Sequence, residues 1–203
     1  MTTPPVVTVV RLNPHHPHAA TETGDTHRMH ARVLAATGAT PPPGGRILWA
    51  LPRSDILVIQ AATPARVPPG YATSCATFRA RTTWSKGQTI QFSLVANPTR
   101  RPRRPRIDGV RHDPDKRIAL PAEEREAWLL RHLEGAITVT RVTGQELGHR
   151  HGYRRGAKVT HLWHAFAGEG IVADPEALAR LQLAGVGPAK GYGCGLLLVQ
   201  EVA

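Results

Sequence analysis

The sequence predicts an α+β fold in two similar halves, and three observations predict it. Short β-branched or alternating apolar runs recur through the 203 residues. Capped helical segments lie among them. An arginine–proline stretch without apolar residues then divides the first set of elements from the second.

Taken in order, "VVTVVRL" (6–12) is β-branched and reads as a strand. "HHPHAATETG" (15–24) reads as a polar, histidine-rich loop. "DTHRMHARVLAATG" (25–38) reads as a helix, with Asp25 or Thr26 as N-cap, Met29, Val33 and Ala36 along one side, and Gly38 as its stop. A rigid Pro41–Gly45 turn leads to "RILWALP" (46–52) and "DILVIQAA" (55–62), two strands joined by a tight turn. Residues 63–87 are less regular, and "QTIQFSLVANP" (88–98) alternates cleanly as a strand. "TRRPRRPR" (99–106) and the polar run after it read as a linker or exposed basic loop.

The second half resumes with "PAEEREAWLLRHLEG" (121–135), a helix with acids in its first turn and Trp128, Leu129 and Leu133 for burial. "AITVTRVTG" and "KVTHLWHAFAGEGIV" are strands around the basic segment "GHRHGYRRGAK" (148–158). "DPEALARLQLAG" (174–185) is a helix with Asp174 as N-cap, Pro175 at its first position and Gly185 at its end. "GLLLVQEV" (195–202) closes as a buried strand. This order suggests two ferredoxin-like βαββαβ units in tandem. Their expected bounds are 1–98 and 117–203, with a basic linker over 99–116; the second helix of the first unit is poorly marked within 63–87.

Composition narrows the function. The 41% hydrophobic content supports a core and excludes a disordered basic tail. No apolar run reaches the roughly 18 residues that span a bilayer, and the N-terminus lacks a signal-peptide pattern, so a cytoplasmic protein without a membrane partner is expected. The two cysteines, Cys75 and Cys194, are expected free. Lys and Arg number 26 against 15 Asp and Glu, a net charge of +11, and only four of the 26 are lysines. Arginine suits bidentate phosphate contacts, so the excess points to nucleic acid. Aromatic residues are only 5% of the chain, which favours a structured duplex or hairpin over a stacked single strand.

The stretch "LAGVGPAKGYGCGLLLVQEVA" (183–203) sets five glycines before the last strand. It is neither a Walker A loop nor a dinucleotide fingerprint, because it lacks G-K-[ST] and follows a helix. Two uses remain open: close approach to a phosphate, or tight packing of helix on strand. "GVGPAKGYGCGLL" resembles the C-terminal glycine-rich loop of the RAMP proteins (an RRM-like fold), and in particular of the CasE-type CRISPR RNA-processing endoribonucleases. "MHARVL", "LVANPTR", "AWLLRHL" and "DPEALARLQLAGVGPAKGYGCGLL" resemble that family's motifs in the same order. The resemblance implies a tandem ferredoxin-like protein that cuts the hairpin of a CRISPR repeat RNA and stays bound to the product among other Cascade subunits.

Cutting RNA without a metal requires a group that deprotonates the ribose 2′-OH, one that protonates the leaving 5′-oxygen, and a cation or donor for the phosphorane. His27 and His30 are neighbours at i, i+3 on one helix and titrate in the right range. The resemblance implies His30 as the catalytic histidine; the family has tyrosine where this chain has His27. Arg28 and Arg32 are candidates for the phosphorane. Arg100, Arg101, Arg103, Arg104 and Arg106 in the linker, Arg154, Arg155 and Lys158 in the second basic segment, and Gly185, Gly187, Lys190 and Gly191 in the glycine-rich loop are candidate RNA contacts. No cofactor is expected. Metal ligation is not expected either, although H-x-x-H occurs at 27/30 and 161/164 and "HHPH" at 15–18: i and i+3 on a strand face opposite ways, and no acid or cysteine completes a set. A non-catalytic RNA-binding subunit of the same fold is the competing reading, and it has no need of the histidine pair.

Overall fold

The computed structural model describes residues 3–101, 106–107, 110–111, 117–154 and 156–202. The first half holds β1 (Val6–Leu12), α1 (Pro17–Thr23), α2 (Thr26–Thr37), β2 (Leu48–Arg53), β3 (Ile56–Ala61) and β4 (Ala72–Arg79). Then follow β5 (Thr89–Ala96), the two-residue strands β6 (Thr99–Arg100), β7 (Arg106–Ile107), β8 (Val110–Arg111) and β9 (Ile118–Ala119), and α3 (Ala122–Leu133). A long hairpin of β10 (Ile137–Arg154) and β11 (Ala157–Val172), α4 (Pro175–Ala184) and β12 (Leu197–Glu201) complete the chain.

Two four-stranded sheets result, ordered β2-β3-β1-β4 and β10-β11-β5-β12, with every neighbour antiparallel. In each, the first strand of the unit lies between its third and fourth, which is the ferredoxin-like order expected from the sequence. The strand at 88–98 changes sides, however. Its alternation was read as closing the first unit, but β5 pairs with β11 and β12 and opens the second. The fourth strand of the first sheet is β4, within the segment read as irregular. Only Ala72 among its residues is even partly buried, so no alternation marks it. No helix forms between β3 and β4.

Three smaller departures have local causes. The loop expected at 15–24 contains α1, because Pro17 is preorganised at the first helical position and Ala19 and Glu22 turn inward. The basic segment 148–158 does not interrupt its strands; β10 and β11 stay paired from Ile137↔Val172 to Arg154↔Ala157, with register shifts at Val139/Arg141 and Glu146/Gly148. β12 is an edge strand whose Leu198 and Val199 are only half-buried.

The two halves share apolar packing. One cluster gathers Met29, Val33, Leu48, Trp49, Leu57 and Ile59 of the first half with Val95, Trp163, Cys194 and Leu196. The other packs Trp128, Leu129 and Leu133 of α3 and Leu178 of α4 on Ile90, Phe92 and Phe166. Polar groups clamp the same seam. Buried Gln182 of α4 accepts from Trp84 Nε1 at 2.8 Å and donates to the Arg81 carbonyl at 3.0 Å, while its own carbonyl accepts from Gln60 of β3 at 2.9 Å. Gln182→Leu keeps the volume and strands two of these groups, each worth about 1–3 kcal/mol when buried unpaired. Urea unfolding is expected to show a stability loss of that order; a loss within about 0.5 kcal/mol would mean water satisfies both groups.

Candidate active site

α2 is fixed at its start by Asp25, whose Oδ1 accepts from the N–H groups of His27 (2.9 Å) and Arg28 (3.2 Å). Met29 and Val33 are fully buried, which leaves His27 and His30 half-buried on the flank of the helix. The distal hairpin packs on the first turn. Thr26 Oγ1 donates to the His151 carbonyl at 3.1 Å. A Cβ at Gly152 would lie 2.9 Å from the His27 nitrogen, so only glycine permits this approach.

His30 has its own fixed partner: Trp49 Nε1 of β2 donates to His30 Nδ1 at 3.3 Å. The other ring nitrogen, Nε2, faces the glycine-rich loop, where a Cβ at Gly191 would lie 3.5 Å from it. Burial, and then the charge of His27, hold His30 below the ordinary histidine value of 6.5.

The loop crosses above two tryptophans. Trp49 and Trp163 meet edge to face at 6.1 Å, and Trp163 Nε1 donates to the Tyr192 carbonyl at 3.1 Å. Gly193 adopts φ +80°, and a Cβ there would lie 2.5 Å from Trp163 and 2.8 Å from Trp49. Gly185 and Gly187, read as possible phosphate contacts, also serve packing. The Gly185 N–H donates to the Leu181 carbonyl, and the space a side chain would take belongs to Leu48 at Gly185 and to Trp128 at Gly187. Lys190 is held below its usual range by burial and by the nearby charge of Arg46.

The remaining candidates divide. Arg32 is tied up: its Nε and Nη2 grip Glu22 at 2.8–3.1 Å, and the Tyr71 hydroxyl, its pKa raised by burial, donates to the same carboxylate at 2.7 Å. Arg28 is exposed beside Asp25, and Arg100 is paired with Glu124 at 3.5 Å. Arg101 and Lys158 are exposed. Arg103, Arg104 and Arg155 lie outside the described residues, as do the side chains of Arg106 and Arg154. His161 and His164 face apart as expected, His161 stacking on Tyr192 at 4.5 Å beside Asn97, and His164 meeting Arg125. Among the described residues no three His, Cys, Asp or Glu side chains converge as metal ligands, and no helix is long and apolar enough to cross a membrane. Trp49, Trp163 and Arg46 were not singled out in the sequence, because their roles arise from contacts between elements distant along the chain.

A family model described as CRISPR associated protein matches residues 7–201. A solved structure of CRISPR endoribonuclease Cse3 bound to 19 nt RNA is 27% identical, with a TM-score of 0.80 over 97% of this chain and 99% of that one. Thermus thermophilus Cse3, bound to an RNA representing a pre-cleavage complex, is 27% identical, with a TM-score of 0.77 over 97% and 99%. The CRISPR-associated protein Cas6e from Escherichia coli str. K-12 shares the fold at 21% identity, with a TM-score of 0.70 over 98% and 100%. No curated protein matches the sequence.

The two rings share a field, which gives a test. His27→Tyr removes a charge that lowers the pKa of His30 and leaves the burial, so the titration of His30, followed by NMR, is expected to move upward while staying below 6.5. An unmoved titration would show that the rings do not interact.

Proposed function

Since the chain belongs to the CRISPR associated protein family, in its CasE type, we propose that it is an endoribonuclease acting on precursor CRISPR RNA. It recognises the repeat hairpin, cleaves at the 3′ base of the stem without a metal, and remains on the guide RNA as a Cascade subunit. The observation that carries this reading is the His27/His30 pair, half-buried between the distal hairpin and the glycine-rich loop.

The chemistry follows from the substrate. RNA carries its own nucleophile: the 2′-oxygen–phosphorus bond forms as the phosphorus–5′-oxygen bond breaks, leaving a 2′,3′-cyclic phosphate and a 5′-hydroxyl. One proton leaves the 2′-OH and one reaches the 5′-oxygen, which is work for groups titrating near neutrality. His27 and His30 set two imidazoles side by side for this work. With Arg32 committed to Glu22, Arg28, exposed beside Asp25 at 3.7 Å, and Lys190 are cations offered to the phosphate. The distal hairpin and the linker arginines supply positive surface for the stem.

His30→Ala is expected to lower single-turnover cleavage by about 10²–10⁴-fold with hairpin affinity nearly unchanged; cleavage within threefold of wild type removes His30 from the mechanism. Cleavage is expected to persist in EDTA, and a substrate with 2′-deoxy at the scissile nucleotide is expected to bind without being cut. A cut deoxy substrate means that water is the nucleophile. Replacing Arg100, Arg101, Arg103 and Arg104 by alanine is expected to lower the log–log salt slope of binding by about 0.7–0.9 per lost phosphate contact. An unchanged slope marks the segment as a plain linker.

A further inference from the structure

We propose that Trp49 is a positioning residue that sets the tautomer of His30, through the indole N–H that it donates to His30 Nδ1 at 3.3 Å. An indole nitrogen only donates, so the nitrogen facing it must offer a lone pair. Neutral His30 therefore carries its proton on Nε2, the nitrogen on the side of Gly191 and the glycine-rich loop. A second proton would have to enter at Nδ1 against the indole N–H, so protonation requires the loss of that bond.

The donor is well fixed. Trp49 is fully buried in the seam between the halves, held edge to face by Trp163 at 6.1 Å and covered by Gly193. Trp163 is in turn anchored through its own N–H to the Tyr192 carbonyl, and Arg150 lies over its ring at 5.6 Å. Gly193 lies against both indoles and leaves neither room to rotate.

Other charged and titratable groups lie on the elements packed around α2, and of these the charge of His27 acts on His30. His27 is on its own helix, and Glu22 of α1 is neutralised by Arg32. The hairpin contributes His149, Arg150 and His151, and the loop contributes Lys190 and Tyr192, with Arg46 beside Lys190. Trp49→Phe keeps all of these residues and an aromatic ring at the site, and removes the indole N–H together with part of the ring's volume.

The test reads the ring directly, and only its catalytic consequence rests on His30 being the reacting group. Nitrogen-15 spectra of wild-type protein at neutral pH are expected to show His30 protonated at Nε2 and bare at Nδ1. In Trp49→Phe the Nδ1–H form is expected to grow roughly 2–12-fold, the equivalent of one net hydrogen bond, and His30 is expected to titrate at higher pH. The limb of the cleavage pH profile that His30→Ala abolishes should move the same way. A wild-type ring protonated at Nδ1 overturns the proposal even if Trp49→Phe fails to fold. So does a folded Trp49→Phe protein with unchanged tautomer and titration. Wild-type protein that shows the Nε2–H ring but cuts no RNA sinks the proposed activity and leaves the assignment of Trp49 standing.

Discussion

The structure depends on one contact, the edge-to-face pair of Trp49 and Trp163. Trp49 comes from β2 of the first unit and Trp163 from β11 of the second, so the pair bridges the two sheets at the centre of their shared cluster. Two such rings bury large apolar areas and add an oriented interaction of about 0.5–1.5 kcal/mol. Their polar edges matter as much. One indole N–H reaches His30 and the other reaches the carbonyl of Tyr192, so a single packing event fixes the His30 ring and the loop beside it. Gly193 follows from the same contact, since a side chain there would collide with both rings, while Gly187 makes room for Trp128 of the other cluster.

The hairpin adds a second constraint. β10 and β11 continue well beyond the residues that β5 covers, and their distal part leans on the first turn of α2. A long two-stranded ribbon is marginal alone, and here it gains support from a helix of the other unit at Gly152 and Thr26. Under the proposed function, the ribbon that meets the RNA stem also sets the position of His27. Binding and chemistry are then joined by direct contact and need no long-range signal.

How much of this was legible in the sequence follows from which forces are local. The helix of the site could be read completely, because its cap, its apolar stripe and its terminal glycine all lie within residues 25–38. The ferredoxin-like repeat could also be read, while the membership of β5 could not: alternation reports which faces are buried and says nothing of which strands are neighbours. β4 lacked even that signal, being exposed along nearly its whole length. Arg32 looked available because its partners, Glu22 and Tyr71, lie on α1 and just before β4. An acid ten residues upstream was the only hint. The glycines of the loop left packing and phosphate binding open, and only tertiary contacts reveal the packing role of Gly185 and Gly187.

The position of the histidine pair on the seam has an energetic consequence. Burial already disfavours a charged His30, and the nearby charge of His27 disfavours it further. A solvated helix face would not hold His30 below its ordinary value, because water would weaken both effects. Part of that burial comes from the second unit, whose glycine-rich loop lies at the edge of the ring, while His27 and Trp49 belong to the first unit. Separating the units would uncover the loop side of the ring and leave His27 and Trp49 beside it. The protonation chemistry of His30 is thus set by groups of the first unit, and the second unit adds to it by closing the ring off from water at Gly191.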